Sequence, residues 1–130
     1  VATWLEVHNR INVVRNAHGR GDCVYDSCLS QVATNCINYI INHDHFDHPP
    51  NLAGRVAGCN DNWNGEILLW HWPPGITART IVQQWYQSPT HQAVLLSPLA
   101  HRLGVQGKNG TMTAGGKRQT VVVWCGEFGS

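Results

Sequence analysis

Lysine is nearly missing from this sequence, with two in 130 residues, and charged side chains of all kinds make up only 13%. Nine basic residues balance eight acidic ones for a formal charge of +1, and no Lys/Arg run is longer than Lys117-Arg118. A nucleic-acid binder or a polybasic membrane-surface protein needs a concentrated cationic footprint, so both classes are excluded. Long apolar runs are missing too. Ile67 to Trp70 and Val121 to Trp124 fall far short of the ~20 residues of a transmembrane helix. There is no internal repeat, linker or low-complexity tract, and the length suits one compact domain over residues 1–130.

Several chemical signatures are also lacking. No C-x2-C pair exists to build a zinc knuckle, no H-E-x-x-H to hold a metalloprotease zinc, and no G-x-S-x-G elbow to present a nucleophilic serine. No signal-peptide pattern precedes Trp4-Leu5-Glu6, which suggests a processed or trimmed chain.

What the sequence does have is eight His, six Trp and five Cys. So many cysteines in a short chain fit an oxidising compartment, where bridges reinforce a small core, and a secreted protein is expected. Asn109-Gly110-Thr111 adds a glycosylation sequon.

Thr3 and Glu6 have capping-box spacing ahead of Leu5, His8, Ile11 and Val14, which predicts a helix over residues 3–15. Gly19-Arg20-Gly21-Asp22 ends it. After a short extended piece at Cys23 to Tyr25, Asp26 or Ser27 caps a second helix carrying Leu29, Val32, Ala33, Cys36, Ile37, Ile40 and Ile41 on a helical period. Pro49-Pro50 cannot continue it. Leu52 to Ala57 reads as a short amphipathic piece, Cys59 to Gly65 as loop, and Glu66 to Trp70 as strand or helical turn. Thr77 caps a third helix that ends near Ser88, the residue before Pro89. Leu103 to Gln106 and Thr120 to Trp124 read as strands joined through the hairpin-favouring Asn109-Gly110. Helices first and strands last argue for an α+β fold with an antiparallel sheet.

Three polar features stand out. His43-Asp44-His45-Phe46-Asp47-His48 offers metal-ligand spacings at a helix end, where histidines also cap free carbonyls. Glu66 is a lone carboxylate beside the apolar run Ile67-Leu68-Leu69-Trp70, costly to bury without a partner, a metal or a proton. Ser88-Pro89-Thr90-His91 places a histidine just past a helix end, as a base, a ligand or a solvated residue. The segment Trp63 to Pro74, with three tryptophans, is core filling plus a stiff loop, or a recognition surface where exposed.

In order, these elements resemble the CAP superfamily, the SCP-like domain of cysteine-rich secretory proteins, insect antigen 5 and plant pathogenesis-related proteins. Leu5-Glu6-Val7-His8-Asn9 is similar to the family's L-x-x-H-N opening, with Asn12 where Arg is usual. Cys23 to Leu29 resembles its L-x-W/Y-D-x-x-L lead into the second helix, and Phe46-Asp47-His48 its F-S-H. Asn64-Gly65-Glu66-Ile67 is similar to G-E-N-I/L, with Ile67 in place of Asn. Val82 to His91, then Leu95-Leu96-Ser97-Pro98 and Leu103-Gly104-Val105, resemble the compact microbial pattern V-x-x-W-x-x-S-P-x-H, L-L-x-P, I-G-V.

The resemblance implies a three-layer α-β-α sandwich with a central cleft of two His and two acidic residues. His48, Glu66 and His91 match three of these four positions, while the usual second glutamate is here Ser88. Two imidazoles and a carboxylate suffice for a divalent metal such as zinc, with a position left open. The implied role is recognition of a lipid, sterol, polysaccharide or other glycan, or protein ligand rather than turnover. Two alternatives compete with it. One is a hydrolase using Ser88, His91 and Glu66, or a metal-bound water. The other is a structural subunit that self-associates through the Trp63 to Pro74 loop. For the cysteines, Cys28 and Cys36 stand ~12 Å apart along one helix, beyond disulfide reach. The expected bridges are Cys23 with Cys28 and Cys59 with Cys125, leaving Cys36 a buried thiol.

Overall fold

The computed structural model describes residues 1–130. Helix α1 spans Trp4–Ala17 and carries the expected capping box: Glu6 N–H donates to Thr3 Oγ1 (3.2 Å) and Thr3 N–H to Glu6 Oε1 (2.9 Å). Strand β1 (Val24–Tyr25) leads into α2 (Ser27–Asn42), which Asp26 caps by accepting from Leu29 N–H. A short helix α3 (Leu52–Arg55) and a 3-10 turn (Ala57–Cys59) follow, then strand β2 (Asn64–His71), α4 (Ala78–Gln87, capped by Thr77) and α5 (Pro89–Leu95). Strands β3 (Arg102–Ala114) and β4 (Lys117–Gly129) close the chain. No helix is long and apolar enough to cross a membrane.

The strand order is β1-β3-β4-β2, with β2, β4 and β3 antiparallel and the two-residue β1 joining β3 in parallel. The sheet is therefore mixed at one edge. Its two faces are covered differently. Ala33, Cys36, Ile37 and Ile40 of α2 pack on Leu68, Met112, Val121, Val123 and Cys125. On the other face, residues of α1, α4 and α5, among them Ile11, Ile81, Trp85 and Leu95, cover Ile67, Leu103, Val105, Val122 and Trp124. The α-β-α layering expected from the resemblance is present.

Alternation along β3 explains how closely α2 lies on the sheet. Gly104 and Gly110 occupy the α2 side. A Cβ on Gly104 would sit 2.1 Å from Ser30 N and 2.2 Å from Leu29 C, and one on Gly110 would sit 2.5 Å from Ile41 Cδ1. Six strand residues at ~3.3 Å and twelve helix residues at ~1.5 Å both cover roughly 18–20 Å. The helix axis thus lies along the strand, with a glycine under each end. Gly110 is required by packing, and the hairpin turn expected at Asn109-Gly110 lies instead at Gly115-Gly116, both at positive φ (62° and 80°). Two consecutive positive-φ residues suit the twist of a tight hairpin. Asn109 itself is exposed in mid-strand.

Arg15 locks the α1 layer. Only 1% exposed and without a carboxylate partner, it donates to the carbonyls of Gly21 (2.9 Å), Leu95 (2.8 Å), Ser97 (3.1 Å) and Ala100 (3.1 Å). A single guanidinium fork so joins α1 to the end of α5 and the approach to β3.

The bridges differ from those expected. Cys28 pairs with Cys59 and Cys36 with Cys125, at Cα separations of 5.5 and 6.4 Å, and Cys23 is the free thiol. Cys36 lies on the apolar stripe of α2 and Cys125 alternates with Val123 on the strand beneath it, so the two meet in the core. Cys28, on the first turn of α2, instead faces the 3-10 turn. Cys23 precedes the helix and is held away from Cys28 by Asn12, whose side chain pairs with both its N–H (2.8 Å) and its carbonyl (3.0 Å). Burial pushes the Cys23 thiol pKa up to about 11, which makes it unreactive.

Candidate functional site

The chain leaves α2 through His43, whose ring stacks on Tyr39 and pairs with the Tyr39 carbonyl, an end-capping role. It then turns at Asp44, in the left-handed region, and reaches His48-Pro49-Pro50. This turn delivers His48 to the edge strand β2. There His48 Nδ1 donates to Glu66 Oε1 at 2.7 Å. The imidazole is half exposed, while the Glu66 side chain is only 1% exposed.

Glu66 has a second partner that the sequence did not suggest. Arg55, the last residue of α3, grips the carboxylate with both arms, Nη1 to Oε2 at 2.8 Å and Nη2 to Oε1 at 3.1 Å. The same guanidinium donates to the carbonyls of Pro49 (2.8 Å) and Pro50 (3.1 Å). Burial alone would raise the Glu66 pKa. The hydrogen bonds from Arg55 and His48, with the charge of Arg55, outweigh it and hold the carboxyl below its ordinary value.

Glu127 is the carboxylate missing from the expected set. It lies on β4 directly opposite Glu66 in the ladder, 1% exposed, and neither of its carboxyl oxygens has a hydrogen-bond partner. Burial, and then the neighbouring Glu66, push its pKa well above the ordinary value. Its signal in the sequence was alternation: Val121, Val123, Cys125 and Glu127 share one face, and the last of these is an acid in an apolar row.

Such a group has a signed effect on stability. The folded protein keeps the Glu127 proton while the unfolded chain loses it above ~4.3, so its contribution falls as pH rises from there towards the folded pKa. Glu66 acts in the opposite sense. Its depressed pKa stabilises the fold above the ordinary carboxylate range, and that contribution is lost as pH falls. Glu127→Gln keeps the size and polarity of the side chain without a titratable proton. Urea unfolding from pH 4 to 8 should find the variant more stable than the parent at pH 7 and flatter on the alkaline side. A variant less stable at pH 7 would mean that Glu127 is ionised in the fold.

His91 comes from α5, which Pro89 starts at its first position and whose Gln92 donates to the Tyr86 carbonyl (3.0 Å). The helix sits against β2, where a Cβ on Gly65 would meet Val94 Cγ1 at 2.8 Å. Burial and then the charge of His48 lower the His91 pKa. The ligand atoms of His48, Glu66 and His91 do not all fall within 4.8 Å of one another. The sets that do are Asp26, Cys28, Cys59 and Cys36, Cys125, Glu127, and in both the sulfurs are committed to disulfides.

Ser88 caps the break between α4 and α5. Its Oγ lies 3.4 Å from Thr90 Oγ1 and makes no hydrogen bond to His91. Glu66 orients His48, not His91, so a serine–histidine–acid relay is not assembled. Of the Trp63 to Pro74 segment, most forms β2. Trp72 alone among its tryptophans is largely exposed, at 47%. His71 is buried, accepting from Trp124 Nε1 (3.0 Å) and donating from Nδ1 to the Pro73 carbonyl (3.0 Å).

A mixed sheet between helical layers, with His48 bonded to a buried carboxylate on its edge strand, defines the class of α-β-α sandwich expected above. A family model described as the cysteine-rich secretory protein family, CAP, matches residues 8–128, and the chain belongs to that family. Solved structures share the fold. An outer surface protein of Borrelia burgdorferi superposes with a TM-score of 0.73 at 18% identity, over 95% of this chain and 89% of that one. A cysteine-rich secretory protein of Staphylococcus aureus gives 0.72 at 14% identity over 96% of this chain. An extracellular protein of Bacillus anthracis containing an SCP domain gives 0.73 at 17% identity over 97% of this chain. This chain spans 37% and 39% of the latter two. No sequence of a curated protein is significantly similar to it.

Proposed function

We propose that this is a secreted CAP domain whose cleft binds a divalent metal, zinc being the best fit, through His48 Nε2 and His91, and that it serves recognition rather than turnover. The observation that carries the reading is the 2.7 Å bond from His48 Nδ1 to buried Glu66. A carboxylate on one ring nitrogen fixes the tautomer and leaves the other, Nε2, as a lone-pair donor, the arrangement that metal-ligating histidines use. His91, with its pKa lowered, is neutral and ready to ligate near pH 7. A metal held by two imidazoles keeps open positions for an oxygen or nitrogen of a lipid, sterol, glycan or protein ligand. Two disulfides and the extracellular and secretory descriptions of similar structures support a location outside the cytosol.

Isothermal titration with zinc tests the site. The parent protein should bind one ion, and His48→Ala/His91→Ala should bind none. Binding unchanged in the double variant sinks the metal reading.

A further inference from the structure

Arg55 occupies the place where a metal would find its best oxygen ligands. Glu66 and Glu127 face each other across the β2–β4 register with both side chains buried, a pairing of acids that calls for a cation or a proton. The cation is built into the chain. Both oxygens of Glu66 are taken, Oε2 by Arg55 Nη1 at 2.8 Å and Oε1 by Arg55 Nη2 at 3.1 Å and His48 Nδ1 at 2.7 Å. We infer that Arg55 is a resident internal cation that denies the Glu66–Glu127 pair to a divalent ion and confines that ion to His48 and His91. The inference rests on the metal reading above and assigns Arg55 as the residue that sets the ligand set and affinity of the site.

The anchoring of Arg55 is what makes it effective. Nε and Nη2 also donate to the carbonyls of Pro50 and Pro49 at 3.1 and 2.8 Å, so the guanidinium is clamped by the two residues that follow His48. The side chain is only 20% exposed. A metal that took Glu66 directly would have to expel this group, break four hydrogen-bonded contacts and leave a charge to be resolvated. Bidentate Arg–carboxylate pairing also excludes the in-plane approach that a metal needs at the same oxygens. Glu66 is thereby restricted to orienting His48.

Zinc calorimetry and thermal melts on the parent, Arg55→Met, Arg55→Met/Glu66→Gln and His48→Ala/His91→Ala test this. Arg55→Met frees Glu66 beside Glu127, and zinc should bind roughly tenfold tighter or more, with a larger metal-induced rise in Tm than in the parent. Adding Glu66→Gln should abolish that gain. Should Arg55→Met be unfolded without metal, zinc is titrated while circular dichroism is recorded. Metal-driven refolding supports the role of Arg55, and failure to refold in millimolar zinc overturns it. Equal affinity in the parent and a folded Arg55→Met overturns the role of Arg55 while leaving the two-histidine site standing. Parent binding that survives His48→Ala/His91→Ala overturns the site itself. Zinc binding confined to Arg55→Met and lost with Glu66→Gln supports the role of Arg55 and removes the two-histidine reading.

Discussion

Replacing Gly104 with valine is expected to prevent folding. A Cβ there would lie 2.1 Å from Ser30 N and 2.2 Å from Leu29 C, and both obstacles are backbone in the first turns of α2. Flexible side chains can rotate away from an intruding methyl, but a helix backbone cannot move without dragging the whole layer. That layer carries Ala33, Cys36, Ile37 and Ile40, the residues that cover one face of the sheet. Ordinary overpacking costs ~1–3 kcal/mol, and a clash with rigid backbone exceeds it, reaching the exceptional range above ~4 kcal/mol. Lifting α2 would also pull Ser30 Oγ from Gln106 Nε2, now 2.8 Å away. Far-UV circular dichroism and urea titration provide the measurement. Gly21→Ala is the control, since nothing lies within 4 Å of its Cβ, and its change should stay within about 1 kcal/mol. A Gly104→Val protein as stable as the parent would show that α2 does not rest on β3 in this way.

Reducing the disulfides should have an effect of similar size. Cys28–Cys59 closes a sequence separation of 31 residues and Cys36–Cys125 one of 89. In the chain-entropy account these loops contribute ~3.7 and ~4.6 kcal/mol respectively, against a net stability of ~5–15 kcal/mol for a whole domain. The second bridge matters more, both for its longer loop and because it ties α2 to β4 through the core. Peptide mapping under non-reducing conditions should recover Cys28 with Cys59 and Cys36 with Cys125. Melting in reductant should show the largest drop in Tm for the wild type and a smaller one for Cys36→Ala/Cys125→Ala, which has already lost the stronger tie. A mapped Cys23–Cys28 peptide would contradict the fold around Asn12.

Elements whose physics is local are legible in the sequence. The Thr3/Glu6 capping box, the Asp26 cap and the apolar period of α2 each depend on residues within a few positions of one another. Where a residue serves a distant contact, its local pattern points elsewhere. Asn109-Gly110 has the form of a hairpin turn, yet Gly110 is small because Ile41 lies over it. Ser88-Pro89 ends α4 as expected, but proline at the first position also starts α5, which carries His91.

The site was half legible for the same reason. His48, Glu66 and His91 stand out through motif order, and the structure bonds Glu66 to His48. Arg55 and Glu127 carry no such motif. An arginine in a four-residue helix is unremarkable until β2 is placed beside it, and an acid in a strand is unremarkable until the register sets it against Glu66. The disulfides followed the same rule, because pairing requires knowing that the inner face of α2 lies over β4.

The scarcity of lysine has a practical side once the hairpin is in view. Lys108 and Lys117 both lie on the β3–β4 hairpin, Lys108 bonded to Asn38 at 3.0 Å and Lys117 beside the Gly115-Gly116 turn. Glu127 lies ten residues along β4 from Lys117, roughly 33 Å at ~3.3 Å per residue. Every ε-amine of the chain therefore belongs to one ribbon, and Lys117 marks the end of it remote from the cleft. Coupling through the lysine ε-amines to a sensor surface or dye would address that ribbon and spare His48, Glu66 and His91, giving an immobilised protein whose cleft stays open to solution.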